Sequence, residues 1–250
     1  MRGARDLAAA HGVGWGMMNL ALHPRLRTRD TLTVERLEAL ELLGPDTKLA
    51  HMLYVGDDDI ARLALHRVKI AHCPTAALKH TKGLAAHGRF PEMLDAGVCV
   101  SLGGDSANGS NHFDMLRLMY LAATVFKDAR LDVGVLPAER ALEMATRLGA
   151  QALGLGAEIG SIEPGKRADL VLFDTARPEW QAMFNPVNNL VYNADGRSVH
   201  TVIVDGRVVV DAYRQSFVDE PRLFARVQEI GERLLARTGV ELPRSRWPII

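Results

Sequence analysis

Three polar residues stand at or just past the ends of short apolar runs: His51 after LysLeuAla at 48–50, His72 in VKIAHC, and Asp105 after VCVSLGG. An imidazole nitrogen and a carboxylate oxygen are donors that suit Zn²⁺ or Fe²⁺. A metal held that way lowers the pKa of a bound water towards 7 and makes it a nucleophile. A neighbouring histidine or carboxylate can then carry protons. A single histidine in a strand is more often a packed core residue, but three polar groups on three consecutive runs point to a site. Other residues have plainer readings. Cys73 and Cys99 lie in apolar runs and read as packing, Met17, Met18 and Met115 as core fillers, and His66, His80, His87 and His200 as surface or loop residues. Lys166 and Arg197 read as turn anchors.

The runs that carry these residues alternate with helical patterns. Strands are expected near Val13–Ala21, Lys48–Val55, Val68–Cys73 and Val98–Leu102. Helices are expected over Thr33–Leu43, Asp57–His66, Phe90–Ala96 and Phe113–Phe126, with breaks at Gly44-Pro45, Pro74 and Gly97. Nearly continuous apolar strands in a β-α alternation predict a parallel sheet covered by helices. In such a sheet the carboxyl ends of the strands carry the site, because side chains there converge on one pocket. After Ala138 the texture changes. A helix is expected over Glu139–Leu153, a strand over Asp169–Phe173 behind Pro164-Gly165, a hairpin around Asp205-Gly206, and an amphipathic helix over Leu223–Leu235.

The segments LLGPDTKLAHMLYV, VKIAHCPTAALKHTKG, AGVCVSLGGDSANGSNHFDMLR, EMATRLGAQALGL, IGSIEPGKRADLVLFD and FNPVNNLVYNADGRSVHTVIVDGRVVVD, running from Leu43 to Arg214, resemble the amidohydrolase superfamily. The resemblance is to its branch of heterocycle deaminases and triazine hydrolases. It implies an α/β fold: the C-terminal half of a TIM (β/α)8 barrel over residues 1–155, part of a small β-sandwich with a connecting helix over 156–215, and a C-terminal helix and tail over 216–250. It also implies roles. Asp105 matches a metal ligand and proton shuttle, and His51 a histidine that polarises substrate or orients water. His72 and Asn111 fall in the substrate pocket, and Asp114 starts the helix behind it. Apart from the resemblance, His112 is read as facing substrate from its place in the loop after Asp105. The family's reaction is attack of metal-bound hydroxide on an sp² carbon bearing nitrogen, with loss of ammonia or an amine. The cofactor implied is a divalent metal, Zn or Fe.

The departures are specific. Nothing before Val13 supplies the family's His-x-His ligand pair. Asn19 stands where a histidine ligand belongs, leaving Asp105 and Asn19 as the implied metal donors. Leu22 stands where a catalytic glutamate belongs, and moving the register to His23 puts Leu26 there. Ala76-Ala77 replaces a frequent Ser-Asn, and Ser106 and Gly109 stand where Gly and Ser are favoured.

Composition narrows the classes. Lys plus Arg and Asp plus Glu are 30 each, so no basic excess points to nucleic acid. No apolar run approaches the roughly 20 residues a membrane span needs, and two cysteines make no disulfide framework. A cytoplasmic protein with a small-molecule substrate is expected. Four strand–helix units leave sheet edges open, so a homo-oligomer, or association with a chain supplying the missing half barrel, is expected too. Two readings follow: a C–N hydrolase of a heterocyclic amine, and a catalytically impaired fragment or partner subunit that acts by association.

Overall fold

The computed structural model describes residues 33–241, together with the backbone of a strand at 17–19. Strands β1 (Met17–Asn19), β2 (Lys48–Ala50), β3 (Lys69–His72) and β4 (Cys99–Leu102) form one parallel sheet in chain order. The register aligns Asn19 with Ala50, Ala50 with Ala71, Ala71 with Ser101 and His72 with Leu102. Their carboxyl ends are therefore nearly level, and the residues that follow them open onto a common edge.

The intervening helices are set by local signals. Thr33 caps α1 (Val34–Ala39) through its side chain, and three aspartates crowd the first turn of α2 (Asp57–Leu65), where the helix dipole favours negative charge. Pro74 begins α3 (Pro74–Lys79), its missing N–H costing nothing at a first-turn position. A short α4 (Leu84–His87) and α5 (Phe90–Asp95) follow, and Gly97, at φ +81°, turns the chain into β4. Past β4 come the single turn α6 (Ala107–Ser110) and the long α7 (Met115–Arg130). The sequence pattern did not reveal α3, α4 or α6. Helices α4 and α6 are four residues each, too short for an apolar face to repeat, and α3 starts at Pro74, which the pattern marks as a break.

Leu49, Ile70 and Val100 share one register across β2–β4 and are essentially inaccessible, as are Phe90, Met93 and Phe126 on the covering helices. Full burial of each such side chain contributes about 1.5–3 kcal/mol. The expected helix at 139–153 is two helices, α8 (Ala138–Ala145) and α9 (Arg147–Leu153), broken at Thr146 (φ −118°, ψ −90°). Met115, read as a core filler, is 37% exposed, because it occupies the first turn of α7 and faces an open groove. Met17 and Met18 lie outside the residues with described side chains.

A second, antiparallel sheet runs β5 (Leu170–Phe173), β6 (Val199–Val204), β7 (Arg207–Asp211), β8 (Arg214–Gln215) in order. The expected hairpin is present: Asp205 (φ +49°) and Gly206 (φ +76°) both adopt the left-handed region that a tight two-residue turn requires. The turn anchors hold as well. Lys166 donates to the Gly156 carbonyl and to Ser161 Oγ, and Arg197 forks onto Asp195. Helix α10 (Glu220–Thr238) closes the described chain and buries no residue. No helix among the described residues is long and apolar enough to cross a membrane.

Candidate active site

His51 and Asp105 follow β2 and β4, and the fold brings them together. His51 Nε2 lies 3.3 Å from Asp105 Oδ2. Both residues are left-handed, at φ +68° and +58°. A non-glycine residue there costs on the order of 1 kcal/mol, and such strain concentrates at functional sites. His51 is pinned by its own backbone, whose N–H donates to the Ala71 carbonyl at 3.0 Å. The Asp105 carboxylate is oriented through Oδ1, which accepts from the Ser106 N–H at 2.7 Å. His51 is 3% exposed, whereas the Asp105 side chain is 31% exposed, so the pair has one sealed and one open member.

A third group completes the cluster, and sequence reasoning missed it. Lys82 Nζ lies 3.0 Å from His51 Nε2. The chain delivers this lysine with care. Tyr54 Oη donates to the Lys82 carbonyl at 3.0 Å, and the Lys82 N–H donates to the Ala77 carbonyl at 2.9 Å. The next residue, Gly83, has φ +77°, and a Cβ there would meet Tyr54 Oη at 2.8 Å. Only glycine lets the turn between α3 and α4 approach Tyr54 so closely. The available signal was the Lys82-Gly83 dipeptide itself, but a side chain of four methylenes reaches too far for sequence spacing to say where its charge lands.

The electrostatics follow from this geometry. Burial holds His51 below its ordinary pKa, the charge of Lys82 pushes the same way, and Asp105 opposes both. The imidazole is therefore neutral near pH 7. Its Nε2 faces a carboxylate and an ammonium at once, while Nδ1 is buried without a hydrogen-bond partner among the described residues. Cys73, beside this cluster, has its thiol pushed up to about 11 by burial and then by the Asp105 charge. It is a poor nucleophile, and burial raises Cys99 likewise.

The other expected site residues are placed differently. His72 is fully buried on the helix-facing side of β3, stacked on Phe90 at 3.8 Å and tilted against Phe126 at 5.9 Å. Neither of its nitrogens has a hydrogen-bond partner among the described residues, and burial drives its pKa down to about 3. Asn111 and His112 tie down the loop after Asp105. Lys79 Nζ donates to Asn111 Oδ1 and to the Asn108 carbonyl. His112 Nδ1 accepts from the Asp114 N–H at 3.2 Å, which leaves Nε2 as the protonated nitrogen, 3.1 Å from Thr75 Oγ1. Asp114 caps α7 through Oδ1 and also accepts from the Gly196 N–H. Asn19 pairs with Ala50 through its strand, and its side chain lies outside the described residues, as do Leu22 and His23. His66, read as a surface or loop residue, pairs with Glu38 at 2.7 Å, and the His87 ring is tilted against Tyr54 with centroids 4.3 Å apart.

Among the described residues no three His, Cys, Asp or Glu side chains gather around one point. His51 and Asp105 supply two donors, and Lys82 brings a positive charge into contact with one of them. A transition-metal site needs more protein ligands than that, so the described residues by themselves do not fit one.

Parallel strands alternating with helices, and an imidazole–carboxylate pair at the strands' carboxyl edge, define an α/β protein with a candidate site where such folds carry theirs. The chain belongs to the amidohydrolase family, whose profile matches residues 25–209. It is 35% identical over 205 residues to a 5-methylthioadenosine/S-adenosylhomocysteine deaminase of Syntrophomonas wolfei, covering 82% of this chain and 47% of that protein. It is 36% identical over 207 residues to a 5′-deoxyadenosine deaminase of Methanosarcina acetivorans, covering 83% and 47%. The chain thus spans about half the length of these relatives. Among solved structures, an adenosine deaminase of Xanthomonas campestris with bound zinc superposes with a TM-score of 0.85 at 27% identity, over 93% of this chain and 53% of that one. An atrazine chlorohydrolase of Arthrobacter aurescens shares the fold at a TM-score of 0.76 and 24% identity, over 90% and 50%.

Proposed function

We propose that the His51–Asp105 site serves hydrolytic cleavage of a C–N bond in an aromatic heterocyclic amine, with an adenosine-type purine as the leading substrate class. The contact between His51 and Asp105 at the strand ends carries the reading. The deaminase relatives support the substrate class. On this reading the four parallel strands are half of an eight-stranded barrel, and β5–β8 belong to the small sandwich beside it.

The roles follow from exposure and charge. Asp105, open to solvent, accepts a proton from the attacking water and returns it to the departing nitrogen. Neutral His51 orients that water through Nε2 and steadies the oxygen as the new C–O bond forms. The C–N bond then breaks and ammonia leaves. The family and its zinc-bound neighbour support a divalent metal, zinc or iron, in the complete site. Its remaining donors would come from outside residues 33–241, or from an associated half-barrel chain or second copy.

Ammonia release from adenosine-type nucleosides, cytosine, guanine, pterins and triazines tests the reading, with and without added zinc or iron. Turnover of at least one is expected, with Asp105→Asn reducing it about 10²-fold or more. No release from any of them, under either condition, would overturn it.

A further inference from the structure

We propose that the groove between the parallel sheet and helices α8 and α9 receives helix α10 of a second copy of this chain, and that Lys48 and Lys69 meet Glu220 of that copy there. The proposal concerns assembly and stands apart from the reaction above.

The groove has apolar walls and a charged floor. It encloses about 1160 Å³, with Phe113, Met115, Leu153 and Ile162 among its walls. Lys48 and Lys69 line it too, side by side in the register of β2 and β3. Strand residues alternate between faces. Leu49 and Ile70 belong to the core cluster, so the two lysines share the opposite face. Neither ammonium has an ion pair among the described residues. Two carboxylates also line the groove, but both are engaged. Asp114 accepts from the Gly196 N–H and Asp169 from the Asp205 N–H. Two like charges side by side repel each other, so this floor favours an anion.

Helix α10 supplies the complement. Within one copy it buries no residue. Its Leu223, Val227, Ile230 and Leu234 are 46–59% exposed, and Phe224 beside them is 63% exposed. Glu220 heads the same stripe, one turn before Leu223 and Phe224. Its carboxylate has no ion pair among the described residues. The other acids of the helix are engaged: Glu229 pairs with Arg226 and Arg233, and Glu232 accepts from Gln228. The one unpaired carboxylate of α10 therefore stands on its apolar face, as the two unpaired ammonium groups stand in the apolar groove. From Glu220 to Leu234 the stripe runs about 21 Å. A two-fold exchange lets each copy give its helix and receive the other's, which closes the assembly at two.

Carbodiimide coupling of the full, unsubstituted chain tests this, with equal amounts of unlabelled and nitrogen-15-labelled protein mixed beforehand. Mass spectrometry should find an amide between Glu220 and Lys48 or Lys69, in peptide pairs that join one light chain to one heavy chain. No such link, or links only between peptides of the same isotope, would overturn the proposal. Light scattering against concentration gives a second readout. Lys69→Glu and Glu220→Lys should each raise the dimer Kd about tenfold. The two substitutions together should return it to within about threefold of the unsubstituted chain. Single variants that associate unchanged, or a double variant as weak as the single ones, would overturn the proposal equally. Neither readout depends on ammonia release, so a failed deamination assay and a failed assembly test are distinguishable.

Discussion

His72 shows how much burial decides at the level of one residue. Its sequence position, at the end of a strand and before Cys73-Pro74, is that of a pocket residue. The structure instead packs its ring against Phe90 and Phe126, with no hydrogen bond at either nitrogen from the described residues. A group held near 3 in the folded state against an ordinary 6.5 makes stability pH-dependent in one direction. Above pH 6.5 both states carry the neutral ring. Below it the unfolded chain takes up a proton that the folded chain refuses, so stability falls by about 2 kcal/mol by pH 5 and continues to fall towards 3. His72→Leu should remove that share of the acid sensitivity, which comparison of urea midpoints at pH 7 and about pH 5 would reveal. Equal acid sensitivity in the two proteins would show that the ring is not the source. His51 and Asp105 were legible as site residues because polar groups closing apolar runs are conspicuous. Lys82 was not, because its charge arrives through a turn fixed by Tyr54 and Gly83.

At the scale of elements, α7 is the beam that joins the parallel sheet to the second one. Its N-cap, Asp114, uses one carboxylate oxygen on the N–H groups of Leu116 and Arg117 and the other on the Gly196 N–H, in the turn that leads into β6. Asp114→Ala removes the cap and the tie together and should cost about 1–2 kcal/mol in denaturant unfolding. Asp114→Asn keeps an acceptor oxygen and should recover most of it. Most strands and helices here were legible because their apolar residues repeat or their ends carry Pro, Gly, Asp or Thr. The break at Thr146 was not. Ala and Leu continue across it, and only backbone geometry separates α8 from α9.

Taken as a whole, the described residues leave two apolar surfaces exposed. A groove of about 1160 Å³ runs between the parallel sheet, α8, α9 and β5, with Phe113, Met115, Leu153, Ile162 and Val171 among its walls. It contains none of His51, Lys82 or Asp105, so its walls suit packing rather than chemistry. On α10, Leu223, Val227, Ile230 and Leu234 recur at alternating spacings of four and three and are all 46–59% exposed. Contiguous apolar surface of this kind marks association. Light scattering of the full chain at micromolar concentration should give a mass above the 27.4 kDa of one copy. A monodisperse single copy would mean that both surfaces stand in water uncovered.

The sequence by itself determined the class of fold, the parallel order implied by apolar runs alternating with helices, the Asp205-Gly206 hairpin, and two of the three groups in the site. These are local matters: periodicity, turn chemistry and residue type are written over a few positions each. Only the tertiary structure decided that His72 is sealed away from solvent, that Asn111 and His112 hold a loop in place, and that an ammonium stands against the imidazole. Burial and charge at a point are sums over residues far apart in the chain. Lys82 lies 31 positions from His51, and no spacing rule connects them before the chain has folded.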